Sequence, residues 1–261
     1  MSSNPDVRLR VFAGPNGSGK STVIKAIQRN GTPDLGRYIN ADDLVKKLFS
    51  GPFQFKEWDL EITKETFLNK LENNSLINRK SSIVIFDSLF DVEENMLILK
   101  SKEKIEMEYV AQVLAEFLRV CCFEKKIKFS FETVFSHHSK VEWMRKCSEM
   151  GYKVYLYFVS TESPEINKAR VANRVLEGGH DVPEQKIEDR YYRSLDLMFE
   201  ASKYAYQAYF FDTSGDSSSG NENWFAHFKR INGKAVWDEM QNPGAIPNWF
   251  IEYYVNKQAN S

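Results

Sequence analysis

Residues Gly14-Pro-Asn-Gly-Ser-Gly-Lys-Ser-Thr22 constrain this chain more than any other stretch. They fit the G-x-x-x-x-G-K-[ST] phosphate-binding pattern, from Gly14 through Gly19, Lys20 and Ser21. Glycines at 14, 17 and 19 permit tight, partly left-handed backbone, so that successive N–H groups can face an anion. Pro15, Asn16 and Ser18 fill the variable places of that cradle. Lys20 supplies a mobile cation, expected in a solvated cleft, and the Ser21 hydroxyl can join the shell of a Mg²⁺ ion. Val7 to Ala13 reads as a short buried strand before the loop, and Ser21 to Gln28 as a helix after it. The N-terminus of that helix, beginning with Ser21 and Thr22, adds partial positive charge where phosphates would lie. A bare Gly-rich turn would need neither the lysine nor the serine.

Further segments repeat the strand-then-helix order. Arg37 to Asp43 reads as a second short strand ending in polar residues, with a helix beginning at Asp42. Trp58 to Leu76 has helical spacing, Ser82 to Asp87 reads as a strand, and Asp91 to Lys104 as a charged helix or loop. Glu106 to Lys125 is a strongly amphipathic helix, and Lys128 to Phe135 a strand. Ser139 to Met150 is a helix closed by Gly151. Tyr152 to Val159 is an apolar strand, Pro164 to Glu177 a helix, Glu184 to Tyr204 another, and Ala208 to Asp212 a final core strand. The expected fold is α/β: a parallel sheet with helices on both faces. It would form one domain over residues 1–261, with lid helices at about 165–195 and a helical, aromatic extension at about 224–261 that docks on the body.

Composition narrows the classes. A net charge of −1 gives no nucleic-acid footprint, and no apolar run approaches the length of a membrane span. Residues 1–6 lack the basic and apolar regions of a signal peptide. Cys121, Cys122 and Cys147 form neither a C-x-x-C spacing nor an even set, so a disulfide framework is not expected. The vicinal pair reads as part of a buried helix face. A reducing, cytoplasmic setting follows as an expectation.

Doubly wound sheets bind ligands at the carboxyl ends of their strands, and three residue sets qualify. Asn40, Asp42 and Asp43 follow the second strand. A carboxylate there can take the proton of an attacking hydroxyl, or it can simply cap the next helix. Glu132, Thr133 and Ser136 end the third major strand, placing a carboxylate and hydroxyls where an acceptor would sit. Asp87 competes with Glu132 as a carboxylate near Mg²⁺, since Ile83 to Asp87 also reads as a strand ending in Asp. His137 and His138 read as helix-entry polar residues. Arg170 and Arg174 share one helix face, and Arg190 and Arg193 the next, across a loop containing Gly178, Gly179 and His180. Such a pair of helices can close on phosphates as a lid, or present a solvated face paired with Glu165, Glu177, Glu184, Glu188 and Asp189.

Phe12 to Thr22, Ile39-Asn-Ala-Asp42, Phe131-Glu-Thr133, Arg174 to Pro183 with its Gly-Gly-His-Asp-Val-Pro run, and Arg190-Tyr-Tyr-Arg-Ser-Leu195 together resemble the zeta-toxin-like phosphate-loop kinases. The matches stand in the family's order over about residues 7–214 and imply a phosphate-loop kinase-like sheet with a helical lid, and with residues of about 50–105 as an insertion relative to compact members. Characterised toxins of the family phosphorylate the 3′-hydroxyl of the amino sugar in UDP-N-acetylglucosamine, using ATP and Mg²⁺. The resemblance implies Lys20 and Ser21 at phosphate and Mg²⁺, Asp42 as general base, Glu132 and Thr133 near the sugar nucleotide, and Arg174 as the best match to a lid arginine. Where members carry a second lid arginine before a Thr-Pro, His180 stands before Val182-Pro183 here. An antitoxin partner is implied by the family alone. Other small acceptors, a non-catalytic ATP-binding module and a phosphohydrolase are the competing readings.

Overall fold

The computed structural model describes residues 7–29, 33–72, 74–80, 83–179, 181–215, 224–238 and 246–260. The chain divides into two compact units, one of Met1–Gly36 with Lys128–Ser261 and one of Arg37–Ile127. The first opens with β1 (Arg8–Ala13) and α1 (Lys20–Arg29). The second carries β2 (Arg37–Ile39), α2 (Ala41–Ser50), β3 (Phe53–Gln54), a 3-10 turn at Phe55–Trp58, α3 (Lys64–Leu71), α4 (Ser75–Lys80), α5 (Ile83–Asp87), β4 (Phe90–Glu93), β5 (Met96–Leu99) and α6 (Lys104–Glu124). The chain returns to the first unit with β6 (Phe129–Thr133), α7 (Ser139–Glu149), β7 (Lys153–Ser160), α8 (Pro164–Leu176), α9 (Glu184–Lys203), β8 (Gln207–Asp212), β9 (Ala226–Ile231) and β10 (Lys234–Trp237). A C-terminal helical stretch follows: Asn248–Phe250, a π-helical turn at Ile251–Val255, and Asn256–Ala259.

In the first unit six strands lie in the order β10-β9-β8-β7-β1-β6. The pairs β1/β6, β1/β7 and β7/β8 are parallel, as the alternation of strands and helices predicts. β1 is buried from Leu9 onward, the continuous apolar run of a strand covered on both faces. One cross-strand row is aromatic: Phe12, Tyr157, Tyr209 and His227 are in register. Their rings stack at 4.7, 4.9 and 4.2 Å, and His227 Nδ1 closes the row on Asp238 Oδ2 at 2.7 Å. On the opposite face Phe158 meets Trp249, and Phe210 meets Phe250 and Tyr254, so the C-terminal helical stretch docks by its aromatic side. Gly151, at φ +86°, follows α7 as expected of a helix stop.

β8 is not the final strand. β9 and β10 extend the sheet as an antiparallel hairpin, so the segment after residue 224 is part strand rather than wholly helical. Asn232 (φ +50°) and Gly233 (φ +79°) form its turn, both in the left-handed region that such two-residue turns require.

The second unit departs further from its sequence reading. Ile83–Asp87 is a short helix and not a strand. Only Phe86 turns inward; Val84 and Ile85 are exposed, so the apolar run does not line a buried strand. The stretch expected as charged helix or loop is the hairpin β4–β5, in a three-stranded antiparallel sheet ordered β3-β5-β4. Glu94 (φ +47°) and Asn95 (φ +62°) make its turn. Asn95 also holds the preceding segment: its amide accepts from the Ile62 N–H at 2.7 Å and donates to the Leu60 carbonyl at 2.8 Å. Around this sheet Phe55, Phe67, Phe90 and Phe117 are each fully buried, with Phe67 touching the other three rings at 4.6–5.9 Å.

Cys121 and Cys122 on α6 are free and buried, as the helix-face reading of the pair predicts, and Cys147 on α7 is free and buried too. Burial pushes their thiols up, to about 11, 12 and 12 respectively. No helix among the described residues is long and apolar enough to cross a membrane.

Candidate functional site

The site is built where β1 ends and α1 begins. Gly14 (φ +146°) and Gly17 (φ +76°) are required there on two counts, conformation and space. A Cβ on Gly14 would lie 2.0 Å from the Val159 carbonyl oxygen, and one on Gly17 would lie 2.5 Å from that of Asn167. The loop closes into α1 through N–H groups of Thr22 and Val23, which both donate to the Gly19 carbonyl at 3.0 and 3.1 Å. The first turn of α1 carries no acidic residue, so its positive end is not offset locally. Ser21 and Thr22 are exposed there.

Lys20 differs from the expectation of a solvated side chain. It is only 7% exposed, and its Nζ donates to the carbonyls of Gly14 (2.9 Å) and Pro15 (2.8 Å). The same ammonium lies 3.9 Å from Glu132 Oε1 at the end of β6. Folding thus brings together two residues far apart in sequence that were both expected at the site. Buried charge is costly unless paired and hydrogen-bonded, and Lys20 in this structure is both. Just beyond Glu132, the Thr133 hydroxyl accepts from the Phe135 N–H at 3.1 Å. Phe135 is buried and left-handed at φ +61°, an unusual conformation for a bulky residue. Ser136 follows, half-buried.

Helices α8 and α9 hold the loop from outside. Asn167 Nδ2 donates to the Asn16 carbonyl at 2.6 Å, and Arg190 Nη1 to Asn16 Oδ1 at 3.2 Å. Asn167 is itself fixed by the Thr161 hydroxyl, and Tyr191 Oη donates to the Thr161 carbonyl at 2.6 Å. Burial, and secondarily the charge of Arg193, lowers the proton affinity of the Arg190 guanidinium. Arg170 reaches the end of β8, where it donates to the Thr213 hydroxyl and carbonyl and to the Gly215 carbonyl. Arg174 is half-buried, with Gly179 closed over it: the Gly179 N–H donates to the Arg174 carbonyl at 2.9 Å, and a Cβ on Gly179 would lie 2.6 Å from Arg174 Cγ. Arg193 is exposed and pairs with Asp189 at 3.6 Å, which fits the solvated-face reading. Lys168 and Glu188 tie α8 to α9 at 2.6 Å. His180 lies outside the described residues.

Asn40, Asp42 and Asp43 belong to the second unit. Asn40 is the N-cap of α2, accepting from the Asp42 N–H at 2.8 Å, so the capping role falls to it and not to either aspartate. Asp42 and Asp43 are exposed in the first helical turn, and Asp43 pairs with Lys46 at 3.2 Å. Asp87 is ion-paired to Lys64 at 2.9 Å within the second unit, in a network with Asp91 and Lys100. His138 pairs with Glu200 at 3.1 Å at the entry of α7.

The cradle suits phosphate groups. It offers a glycine-lined loop, a helix N-terminus without acidic neighbours, one lysine, and arginines on two adjoining helices. Among the described residues no group of three or more His, Cys, Asp or Glu is placed to hold a metal ion. A Mg²⁺ ion arriving with phosphates would need no such group, and the exposed Ser21 hydroxyl could join its shell. Sequence reasoning missed Asn167 and Thr213. Asn167 carried one signal, a polar residue on the inward face of α8; Thr213 directly follows the strand end at Asp212.

No protein-family model matches the chain. An uncharacterised protein of Haemophilus influenzae is 34% identical over 68 residues, or 26% of this chain. The chain spans about half the length of that curated relative, 49% of it. Among solved structures the chain is similar to one from the PezAT chromosomal toxin-antitoxin system of Streptococcus pneumoniae, with a TM-score of 0.49 and 11% identity over 98% of this chain and 81% of the other. It is also similar to one from the AvrRxo1-ORF1:-ORF2 complex with ATP, with a TM-score of 0.47 and 11% identity over 92% of this chain and 64% of the other. At these levels the likeness leaves function to the chemistry of the site itself.

Proposed function

We propose that this chain is an ATP- and Mg²⁺-dependent phosphotransferase that moves the γ-phosphoryl group to a hydroxyl of a small acceptor. The observation that carries the reading is the loop: a glycine cradle at the head of α1, with Lys20 held at its centre between loop carbonyls and Glu132. ATP supplies the phosphoryl group and Mg²⁺ offsets charge on its oxygens. The chain's own part is binding and positioning. Loop N–H groups receive the phosphates, and Lys20 exchanges the Gly14 and Pro15 carbonyls for phosphate oxygens. Ser21 joins the metal's shell. Arg174 and Arg190 stabilise charge as it spreads over the transferring group. The reading gives Asp42 the role of general base, taking the acceptor's proton onto its carboxylate.

A nucleotide sugar of the UDP-N-acetylglucosamine kind is the acceptor this reading favours. Its support is the end of β6, where Glu132 and Thr133 bring a carboxylate and a hydroxyl, groups that suit sugar hydroxyls and an N-acetyl group. ATP consumption is to be measured with and without UDP-sugars, free sugars and nucleosides, with mass spectrometry of the acceptors. A monophosphorylated UDP-N-acetylglucosamine, suppressed by Glu132→Gln, is the expected result. Phosphorylation of a different acceptor keeps the kinase and discards the nucleotide sugar. ATP loss to water alone makes the chain a phosphohydrolase.

A further inference from the structure

Thr213 lies at the point where β8, β7, the phosphate loop and α8 meet. Its N–H donates to the Ser160 carbonyl at 3.0 Å. Its hydroxyl oxygen lies 2.9 Å from the Ser18 carbonyl and 3.3 Å from the Ser160 carbonyl. A hydroxyl has one proton to give. The Ser18 carbonyl is the nearer of the two, which assigns the proton to it. Arg170 Nη1 donates to Thr213 Oγ1 at 3.1 Å, which turns the hydroxyl proton away from the guanidinium and toward a carbonyl. Arg170 Nη2 adds bonds to the Thr213 carbonyl at 2.5 Å and the Gly215 carbonyl at 3.2 Å, which hold the loop after β8 in place. The side chain of Thr213 also stands directly behind Gly19, where a Cβ would lie 3.4–3.6 Å from its Oγ1, Cβ and Cγ2.

We infer that Arg170 and Thr213 are positioning residues for the phosphate loop, acting as a directed relay from Arg170 through the Thr213 hydroxyl to the Ser18 carbonyl. The relay fixes the peptide between Ser18 and Gly19, and with it the direction of the Gly19 N–H. It rests on the proposed nucleotide-binding role of the loop, and it moves Arg170 from the phosphates themselves to the support behind them. A bond from a charged donor polarises the hydroxyl, so loss of either partner weakens the same final contact.

The variants are Thr213→Val, which keeps shape and removes the hydroxyl, Thr213→Ser, which restores it, Arg170→Met, and the double variant Arg170→Met/Thr213→Val. Two measurements are made on the full chain: ATP affinity by calorimetry, and amide hydrogen exchange at Gly19 and Lys20 in nucleotide-free protein. Thr213→Val is expected to weaken ATP binding about tenfold, the order of one hydrogen bond, and to speed exchange at those two amides while global melting matches that of Thr213→Ser. Thr213→Ser is expected to stay within about twofold of wild type on the same scale. The double variant should lose less than the sum of the two single variants, because both break one relay while Arg170 also holds the Thr213 and Gly215 carbonyls. Thr213→Ser as impaired as Thr213→Val, additive losses, or unchanged exchange in Thr213→Val would each overturn the relay. If Thr213→Val does not fold, unchanged loop exchange in Arg170→Met overturns it alone. A wild-type protein that binds no ATP counts against the kinase reading, and the exchange measurement still decides the relay.

Discussion

The phosphate loop and the core of the second unit use opposite means of specifying structure. The loop is held by hydrogen bonds that end on backbone atoms: Asn167 on the Asn16 carbonyl, Thr213 on that of Ser18, Lys20 on those of Gly14 and Pro15. Each bond fixes direction and adds little net stability. The second unit is held by rings. Phe67 alone meets Phe55, Phe90 and Phe117, and non-directional burial of this kind carries stability with little positional demand. The loop therefore tolerates almost no change of backbone, whereas the ring cluster is sensitive to volume.

Four variants test that contrast. The largest effect is expected from Phe67→Ala, which should lower unfolding free energy by about 3–5 kcal/mol through loss of burial and an unfilled cavity. Denaturant titration measures it, and a loss below about 1 kcal/mol, the range of a surface change, would break the comparison. Lys20→Met should cut ATP turnover by about 10² or more with a stability change smaller than that of Phe67→Ala, since the cost of burying the ammonium is removed together with its contacts to the Gly14 and Pro15 carbonyls and to Glu132. A melting shift as large as that of Phe67→Ala would show the loop to be structural. Arg174→Ala should lower the transfer rate about tenfold and weaken ATP binding less. Equal losses would place it at ground-state phosphates instead.

The smallest effect belongs to the surface pair of Asp34 and Lys128. The bond from Lys128, then that from the Gly36 N–H, holds the Asp34 carboxyl below the usual carboxylate range. A folded-state value below the unfolded one adds stability above about pH 4 and loses it as pH falls through the lower folded value. Lys128→Ala should therefore melt slightly lower than wild type at pH 7, by about 0.5 kcal/mol or less for so exposed a pair. The gap should close in strong acid. A gap that widens there would reverse the sign.

The same contrast explains what could be read from sequence. The loop, α1, the β6 end and the helices α8 and α9 were legible because their chemistry needs particular residue types at fixed spacing. The turn at Asn232-Gly233 carries a hairpin signal that a helical reading of residues 224–261 does not use. Glu94-Asn95 makes a similar turn without glycine, so β4–β5 lacked the usual hairpin punctuation. Ile83–Asp87 misled because a short apolar run reads equally as strand or helix, and tertiary contact of Phe86 decided the matter. Asn167 and Thr213 could not be found by motif at all, because what they recognise is the backbone of another segment.

The three buried cysteines give each unit its own chemical clock. Cys121 and Cys122 lie in the second unit and Cys147 in the first. With thiols raised to about 11 and 12, almost none is thiolate near neutrality, and none is open to a reagent while its helix stays packed. An alkylating agent added to the native protein can therefore mark a cysteine only after the helix that carries it has opened. Peptide mapping of the label over time would separate opening at α6 from opening at α7 in one sample, without engineered probes.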